Sequence, residues 1–253
     1  MIESFDTTLP AITGKKKRKV WVYIPDEAAE SDTRYPVLYM MDGHNLFYDD
    51  VATYGKCWGL KEYMDETHTP MIIVGVDCNH GKNHGRLSEY SPFTFADPSF
   101  GRVYGRGKLF MEWLTGTLKP FIDAEYPTLP ERENTFLAGS SMGGLMTLYG
   151  LTAFNGYFSR GAALSPSVWV GPKRLWRMFR EAEIAPDTVL YMDYGSEEMG
   201  NHDGMRAGFA QTASVLMGCG IQVTARIVPG GTHCEASWEK QIPFFMNTLL
   251  YEG

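Results

Sequence analysis

The sequence alternates between strand-like and helix-like segments along its whole length, and this order restricts the fold more than any other feature. Residues 36–41 (PVLYMM) and 71–77 (MIIVGVD) are almost continuously apolar, which is typical of strands buried on both faces of a sheet. Because strands that alternate with helices form parallel βαβ units, we predict an α/β fold with a mostly parallel central sheet and helices on both faces. The other predicted strands are residues 135–139, 161–164, 188–193 and 221–228, and the predicted helices are residues 57–66, 104–126, 141–151, 173–182, 204–217 and 235–250.

The size and composition of the chain predict one domain over residues 1–253. The hydrophobic fraction is 44% and the charged fraction is 21%, as in an ordinary globular protein with its own core. No repeat, low-complexity stretch or linker interrupts the chain. A loop is expected over residues 79–102, which contain several Gly, His and Pro residues. Residues 165–187 are too few for a large helical cap, so we expect an open cleft.

Charge and cysteine content limit the possible partners and location. The net charge of −7 disfavours nucleic acid and anionic membrane surfaces, and no apolar run is long enough to span a bilayer. The N-terminal MIESFDTTLP lacks the basic and apolar regions of a signal peptide, and the four cysteines form no CxxC pair, so we expect a cytoplasmic protein with reduced thiols. The basic run at residues 15–19 is predicted to be a charged hairpin turn between two edge strands.

Ser141 is the predicted nucleophile, because Gly139-Ser140-Ser141-Met142-Gly143 matches G-x-S-x-G where a predicted strand gives way to a helix. A serine hydroxyl is a weak nucleophile and must stand at a sharp turn within reach of a base. Small residues two positions before and after the serine allow that turn. The turn also puts the Met142 N–H at a helix N-terminus, where developing negative charge is stabilised.

His233 is the predicted base among the six histidines. The chain order nucleophile, acid, histidine in this type of site leaves His202 and His233 as candidates. His233 follows the last predicted strand, at the sheet edge where sites of open α/β folds lie. His80 and His84 have a spacing that metal ligands on a helix can show, but the intervening Gly and Asn residues predict a loop. We therefore expect neither a metal nor an organic cofactor.

Several sequence blocks resemble a family of α/β-hydrolase esterases that includes esterase D, feruloyl and acetyl-xylan esterases, enterochelin-type esterases and mycolyltransferases. The resemblance extends over nearly the whole chain and implies the α/β-hydrolase fold. The blocks are VWVYIP (20–25), PVLYMMDGHNLF (36–47), EYSP (89–92), LAGSSMGGL (137–145), SPSVW (165–169), YGSEE (194–198) and GTHCEASW (231–238).

The resemblance implies two further site residues. The backbone N–H of His44, just after Asp42-Gly43, corresponds to the family's second oxyanion donor beside the N–H of Met142. Glu198 corresponds to the family's acid, which is often Asp elsewhere. For the acid, the neighbouring Glu197, Asp193 and Asp203 remain alternatives.

These assignments predict a serine carboxylic-ester hydrolase that acts on a small-molecule ester through an acyl-enzyme intermediate. An acyltransferase or a thioesterase of the S-formylglutathione type would use the same triad. A non-catalytic binding module is disfavoured, since serine, histidine and acid are all present. Trp169, Tyr90 and Phe47 are candidate substrate-binding residues, with packing in the core or in loops as the alternative for each.

Overall fold

The computed structural model describes residues 1–29, 32–198 and 203–251. Ten strands and ten α-helices lie within these ranges. The strands are β1 (Ile2–Thr8), β2 (Lys17–Tyr23), β3 (Val37–Met41), β4 (Ile72–Val76), β5 (Phe95–Asp97), β6 (Gly101–Val103), β7 (Thr135–Ser140), β8 (Arg160–Leu164), β9 (Val189–Gly195) and β10 (Gln222–Val228). The helices are α1 (Pro10–Thr13), α2 (Leu60–Thr67), α3 (Gly85–Glu89), α4 (Gly107–Trp113), α5 (Lys119–Glu125), α6 (Met142–Ala153), α7 (Pro172–Glu181), α8 (Asp203–Gly218), α9 (Glu235–Glu239) and α10 (Ile242–Leu250).

Eight of these strands form one sheet in the order β1-β2-β4-β3-β7-β8-β9-β10. The six strands from β4 to β10 in this order are parallel, and β1 and β2 are antiparallel at one edge. The predicted α/β class is confirmed. Because parallel strands share their carboxyl ends, the loops after β3, β4, β7, β9 and β10 emerge along the same side of the sheet.

Helices cover both faces of the sheet, as predicted. Alternate residues of β3 point to opposite faces: Val37, Tyr39 and Met41 join one apolar cluster, whereas Leu38 and Met40 join a second. The first cluster is closed by α4, α6, α7 and α8, and the second by α2 and α10. No helix in the described ranges is long and apolar enough to cross a lipid bilayer.

Three predicted boundaries differ in the structure. The predicted loop at 79–102 contains the short helix α3 and the hairpin of β5 and β6, whose turn ends at Gly101 with φ 66°. The predicted helix at 104–126 widens into a π-helical turn at Leu114–Leu118, just before Pro120, which has no N–H to donate. The last predicted helix is divided into α9 and α10, with Pro243 in the first turn of α10.

The basic run at residues 15–19 is only partly the charged turn predicted. Helix α1 connects β1 to β2, and β2 is an inner strand rather than an edge strand. Arg18 lies within β2, is buried, and forms two 2.7 Å hydrogen bonds with both oxygens of Glu89 in α3. The period of a strand explains this placement, since Arg18 shares its inward-facing side with Val20. A buried guanidinium requires such a carboxylate partner.

Candidate active site

Ser141 occupies a strained turn between β7 and α6. Its backbone angles, φ 58° and ψ −121°, lie in a region that side chains other than glycine rarely adopt. The turn is tight: a Cβ on Gly139 would lie 2.7 Å from the Gly143 carbonyl carbon, and one on Gly143 would lie 2.9 Å from Met41 Cβ. The glycines of G-x-S-x-G are therefore required by contacts, as the sequence pattern predicts.

His233 lies in the loop after β10, and its Nδ1 is 2.8 Å from Glu198 Oε2. Its ring packs edge-on against Trp238, with centroids 5.1 Å apart. The carboxylate at Nδ1 favours the tautomer that carries its proton there, which leaves the Nε2 lone pair available as a base. His202, the other histidine considered from the sequence, lies outside the described residues.

Glu198 is the carboxylate that the structure brings to His233. Its side chain is buried, and its Oε1 accepts hydrogen bonds from the Ser165 hydroxyl and from the Gly195 N–H at 2.8 Å. With Oε1 occupied, Oε2 is oriented toward His233. Ser165, at the end of β8, is a contributor that the sequence analysis did not identify, although it opens the SPSVW block.

The other candidate acids are placed differently. Asp193 is also buried, but it lies within β9 and accepts hydrogen bonds from the Tyr191 hydroxyl at 2.9 Å and the Ser165 N–H at 3.3 Å. Glu197 is exposed and points away from the core. The side chain of Asp203 is outside the described part of the chain.

The Glu198 and His233 loops are joined by their backbones. A Cβ on Gly195 would collide with the carbonyl group of Gly231, so only glycine allows this approach. The Glu197 N–H donates to the Gly231 carbonyl at 2.9 Å, and the Gly230 N–H donates to Ser196 Oγ at 2.8 Å. These contacts fix the relative position of the acid and the base.

The loop after β3 carries the predicted oxyanion donor, His44, in a 3-10 turn at Gly43–Asn45. A Cβ on Gly43 would lie 2.5 Å from the carbonyl carbon of Gly75 in β4, so the loop lies directly on that strand. Among the described residues, the N–H groups of His44 and Met142 donate to no protein acceptor. Neither N–H group is therefore committed to a hydrogen bond within the described protein.

An ion pair between Asp42 and Arg86 supports this loop. Two hydrogen bonds of 2.7 and 2.6 Å join the guanidinium to both carboxylate oxygens. Burial alone would raise the pKa of Asp42, but the charge of Arg86 holds that pKa below its ordinary value. The Asp42 N–H also donates to the Tyr90 hydroxyl at 3.2 Å. Sequence reasoning missed Arg86, which lies in the segment predicted as loop.

A cavity of about 440 Å³ brings these groups together, with Ser141, His233 and His44 all in its wall. The three predicted substrate-binding aromatics do not contribute to that wall. Tyr90 and Phe47 are buried in the core, where Tyr90 supports Asp42. Trp169 lines a different pocket and stacks on Phe100 with ring centroids 6.2 Å apart. For these three residues the structure favours the packing alternative. The rings of Tyr90 and Phe47 pack in the core, and the ring of Trp169 packs against the hairpin of β5 and β6.

His80 and His84 do not form the pair that their spacing allowed. His84 packs against Phe100, whereas His80 packs edge-on against His44, with ring centroids 4.6 Å apart. Both line the same cavity as Ser141. His44 and His80, together with Cys78, are the side chains in the described ranges that could hold a metal ion.

The parallel sheet, with a strained serine, a histidine and a carboxylate in loops at its carboxyl edge, defines an α/β-hydrolase. Residues 12–245 match the family described as Putative esterase. The chain belongs to this family, and it is therefore a carboxylic ester hydrolase by class.

Individual relatives are distant. The chain is 23% identical over 185 residues to the uncharacterized protein YbbA of Bacillus subtilis (strain 168). The aligned region covers 72% of this chain and 69% of that protein. It is 28% identical over 185 residues to an iron(III) salmochelin esterase of Escherichia coli O6:H1. This aligned region covers 71% of this chain but only 39% of that enzyme. The crystal structure of the BES protein from Bacillus cereus has a similar fold, with a TM-score of 0.77, 20% identity, and coverage of 99% of this chain and 95% of that one.

Proposed function

We propose that this chain hydrolyses small-molecule carboxylic esters with Ser141 as nucleophile, His233 as general base and Glu198 as the orienting acid. The observation that carries the proposal is the strained turn at Ser141, which lines one cavity with a histidine whose Nδ1 is hydrogen bonded to a buried carboxylate. Strain of this kind persists where the surrounding structure imposes it, and it is concentrated at functional sites.

The reaction proceeds in two acyl-transfer steps. His233 Nε2 takes the proton of the Ser141 hydroxyl as Oγ bonds to the ester carbonyl carbon, and the negative charge moves to the carbonyl oxygen. The N–H groups of His44 and Met142 stabilise that oxygen, and losing one such donor costs roughly 3 to 4 kcal/mol of barrier. His233 then protonates the departing alcohol. In the second step it activates a water molecule that releases the acid from Ser141.

Glu198 contributes by holding His233 in one tautomer. Its Oε2 accepts a hydrogen bond from the Nδ1–H, so the lone pair on Nε2 is the one that can receive the serine proton. The same charge stabilises the imidazolium that forms during each step. The buried position of Glu198 strengthens this interaction, because water screens it little.

The first test is the variant Ser141→Ala, assayed with p-nitrophenyl acetate. Ester hydrolysis should be abolished with the fold intact, because Ser141 is half-buried and its small hydroxyl contributes little to packing. A serine-directed phosphonate should add one covalent mass to the peptide that contains Ser141. The matched control is Ser140→Ala in the same turn, which should keep both turnover and labelling. Wild-type turnover in Ser141→Ala would contradict the proposal.

The proposed partner is a small-molecule ester, and esters of the iron(III) salmochelin type form the first natural class to test, given the 28% identical relative. Acyltransferase and thioesterase activity use the same groups. A panel of feruloyl, acetyl-sugar, siderophore and thioester substrates, each with water and with an added alcohol acceptor, separates the three activities by product.

A further inference from the structure

Three potential metal ligands, His44, Cys78 and His80, lie together in the loops after β3 and β4. One ligand atom from each lies within 4.8 Å of the others, and Cys78 Sγ is 4.0 Å from both ring nitrogens of His80. The topology explains the meeting, because His44 follows β3 while Cys78 and His80 follow β4, its parallel neighbour. All three residues line the cavity that contains Ser141.

The hydrogen bonds around His44 determine which of its nitrogens can bind a metal. The Thr53 hydroxyl donates its single proton to Asn45 Oδ1 at 3.0 Å, and that oxygen is fixed by the Thr53 N–H at 2.9 Å. Thr53 Oγ1 therefore accepts a hydrogen bond from the N–H at His44 Nε2, 3.0 Å away. In the neutral ring His44 Nδ1 then carries a lone pair. This atom is buried without a hydrogen-bond partner among the described residues, and Asp77 Oδ1 lies 3.7 Å from it, beyond hydrogen-bond distance. Leaving a buried polar atom unpaired costs free energy.

We propose that His44, Cys78 and His80 bind one divalent transition-metal ion of the zinc class, and that the bound ion inhibits ester hydrolysis. Two imidazoles and one thiolate form a donor set that zinc prefers, with a fourth position open to the cavity. With metal–ligand bonds of about 2.0 to 2.3 Å, tetrahedral ligand atoms lie roughly 3.3 to 3.7 Å apart, so the three side chains need to close by about 1 Å. The ion displaces the thiol proton of Cys78 to solvent, and no electron is transferred.

The structure also gives the reason for inhibition, which rests on the proposed function. His44 supplies a proposed oxyanion N–H and lines the same cavity as Ser141, so a metal held on its ring restrains the loop that carries this N–H and adds a positive ion at the cavity wall. The outer contacts of His44 match those of metal-bound histidines, whose second nitrogen usually donates to a protein oxygen.

Metal binding is tested first without reference to activity, by titrating the full chain with Co²⁺ and following the thiolate-to-cobalt charge-transfer absorption. One equivalent should saturate the band. Cys78→Ser should abolish it, and His80→Ala should weaken the affinity at least about tenfold. The controls Cys234→Ser and His84→Ala change a thiol and an imidazole near the same cavity and should keep the band. Absence of the band, or its persistence in Cys78→Ser, would overturn the site.

Inhibition is tested second, with p-nitrophenyl acetate. Equimolar Zn²⁺ should lower the wild-type rate by about tenfold or more, equivalent to about 1.4 kcal/mol, and a chelator should restore it. Zinc should alter the rate of His80→Ala much less, relative to that variant's own metal-free rate. If cobalt binds but the metal-free chain has no esterase activity, the proposed function fails while the site stands. If activity is present, cobalt binds and zinc leaves the rate unchanged, the inhibitory role is refuted.

Discussion

The loops on the two sides of Ser141 along the sheet edge, those after β9 and β10 and those after β3 and β4, differ in how completely their polar side-chain atoms are hydrogen bonded. On the side formed by the loops after β9 and β10, both oxygens of Glu198 accept hydrogen bonds, and His233 Nδ1 is paired. On the side formed by the loops after β3 and β4, His44 Nδ1 is buried with no hydrogen-bond partner in the described part of the chain and lies 3.7 Å from Asp77 Oδ1. Cys78 Sγ lies 4.0 Å from the ring nitrogens of His80. Contacts within the protein hold the polar groups of the first side in place. On the second side, the His44, Cys78 and His80 side chains keep atoms that can still bind a ligand.

The backbone contacts of the two sides are similar, so they do not explain the difference in hydrogen bonding. Both sides depend on a close contact between two glycines, Gly195 with Gly231 and Gly43 with Gly75. The contrast comes from the side chains that these rigid loops present. The following predictions test whether the loops after β9 and β10 carry the residues that act with Ser141, in order of decreasing effect.

The largest effect is expected for His233→Ala. Triad members act as a unit, so the loss of kcat should amount to several orders of magnitude and resemble that of Ser141→Ala. The double variant with Ser141→Ala should lose little more than either single variant. The measurement is the steady-state hydrolysis of p-nitrophenyl acetate. His84→Ala, another cavity histidine, is the control, and an equal loss there would show that His233 has no special role.

Glu198→Gln should lower kcat by about 10³- to 10⁴-fold, because an amide cannot stabilise the imidazolium and can impose the wrong tautomer. Glu197→Gln is the matched control, since the same change is made one residue away on an exposed side chain. It should alter kcat by less than about tenfold, or about 1.4 kcal/mol. A larger loss in Glu197→Gln than in Glu198→Gln would reverse the assignment of the acid.

The sequence predicted those parts of the site that depend on local rules. The turn at Ser141 and the position of His233 follow from the strand–helix order and from glycine spacing, and Glu198 followed from the family resemblance. Contacts between distant segments were not predictable in this way: Arg18 with Glu89, Arg86 with Asp42, and Ser165 with Glu198 join residues 33 to 71 positions apart. A single domain over residues 1–253 and a cytoplasmic location stay predictions.

The placement of aromatic side chains was also not predictable from the sequence, as for Trp169, Phe47 and Tyr90. An aromatic residue near a motif can line a cleft or fill the core, and only the packing of other elements decides between them. Here the hairpin of β5 and β6, which the sequence analysis treated as loop, provides part of the surface on which Trp169 packs.

A smaller effect, on stability rather than rate, is expected at Asp193. Burial raises the pKa of this carboxyl group from its ordinary 3.8 to about 7, and the charge of Glu198 adds to the effect. The unfolded chain therefore releases the proton near pH 4, while the folded chain keeps it until about pH 7. Between these values the folded state binds more protons, so its stability should fall as the pH rises, by at most roughly 4 kcal/mol from this group.

Asp193→Asn removes this titration and should flatten the decline in unfolding free energy between about pH 4 and 7. Denaturant unfolding at a series of pH values provides the measurement. Asp50→Asn changes an exposed aspartate and should reproduce the wild-type slope. Parallel stability curves for wild type and Asp193→Asn would mean that the Asp193 proton is not retained.

The smallest predicted effect concerns Ser165, a positioning residue that acts through Glu198. Its hydroxyl donates to Glu198 Oε1 and accepts from Trp238 Nε1 at 2.9 Å. In Ser165→Ala the carboxylate keeps the Gly195 N–H and His233 but loses one of its donors. We expect kcat to fall about tenfold, since a hydrogen bond to a charged group contributes roughly 1.5 to 3 kcal/mol, with KM nearly unchanged.

A double-variant cycle distinguishes positioning from a general structural role. If Ser165 acts by orienting the Glu198 carboxylate, Ser165→Ala should cost little in the Glu198→Gln background, because the charge that it orients is already gone. If Ser165 only supports the loop, the same tenfold loss should appear in both backgrounds. Trp238→Phe keeps the ring that packs on His233 but removes the donor to Ser165, and it should lower kcat less than Ser165→Ala does. A loss in Trp238→Phe as large as that in Ser165→Ala would instead move the orienting role to Trp238, which contacts both Ser165 and His233.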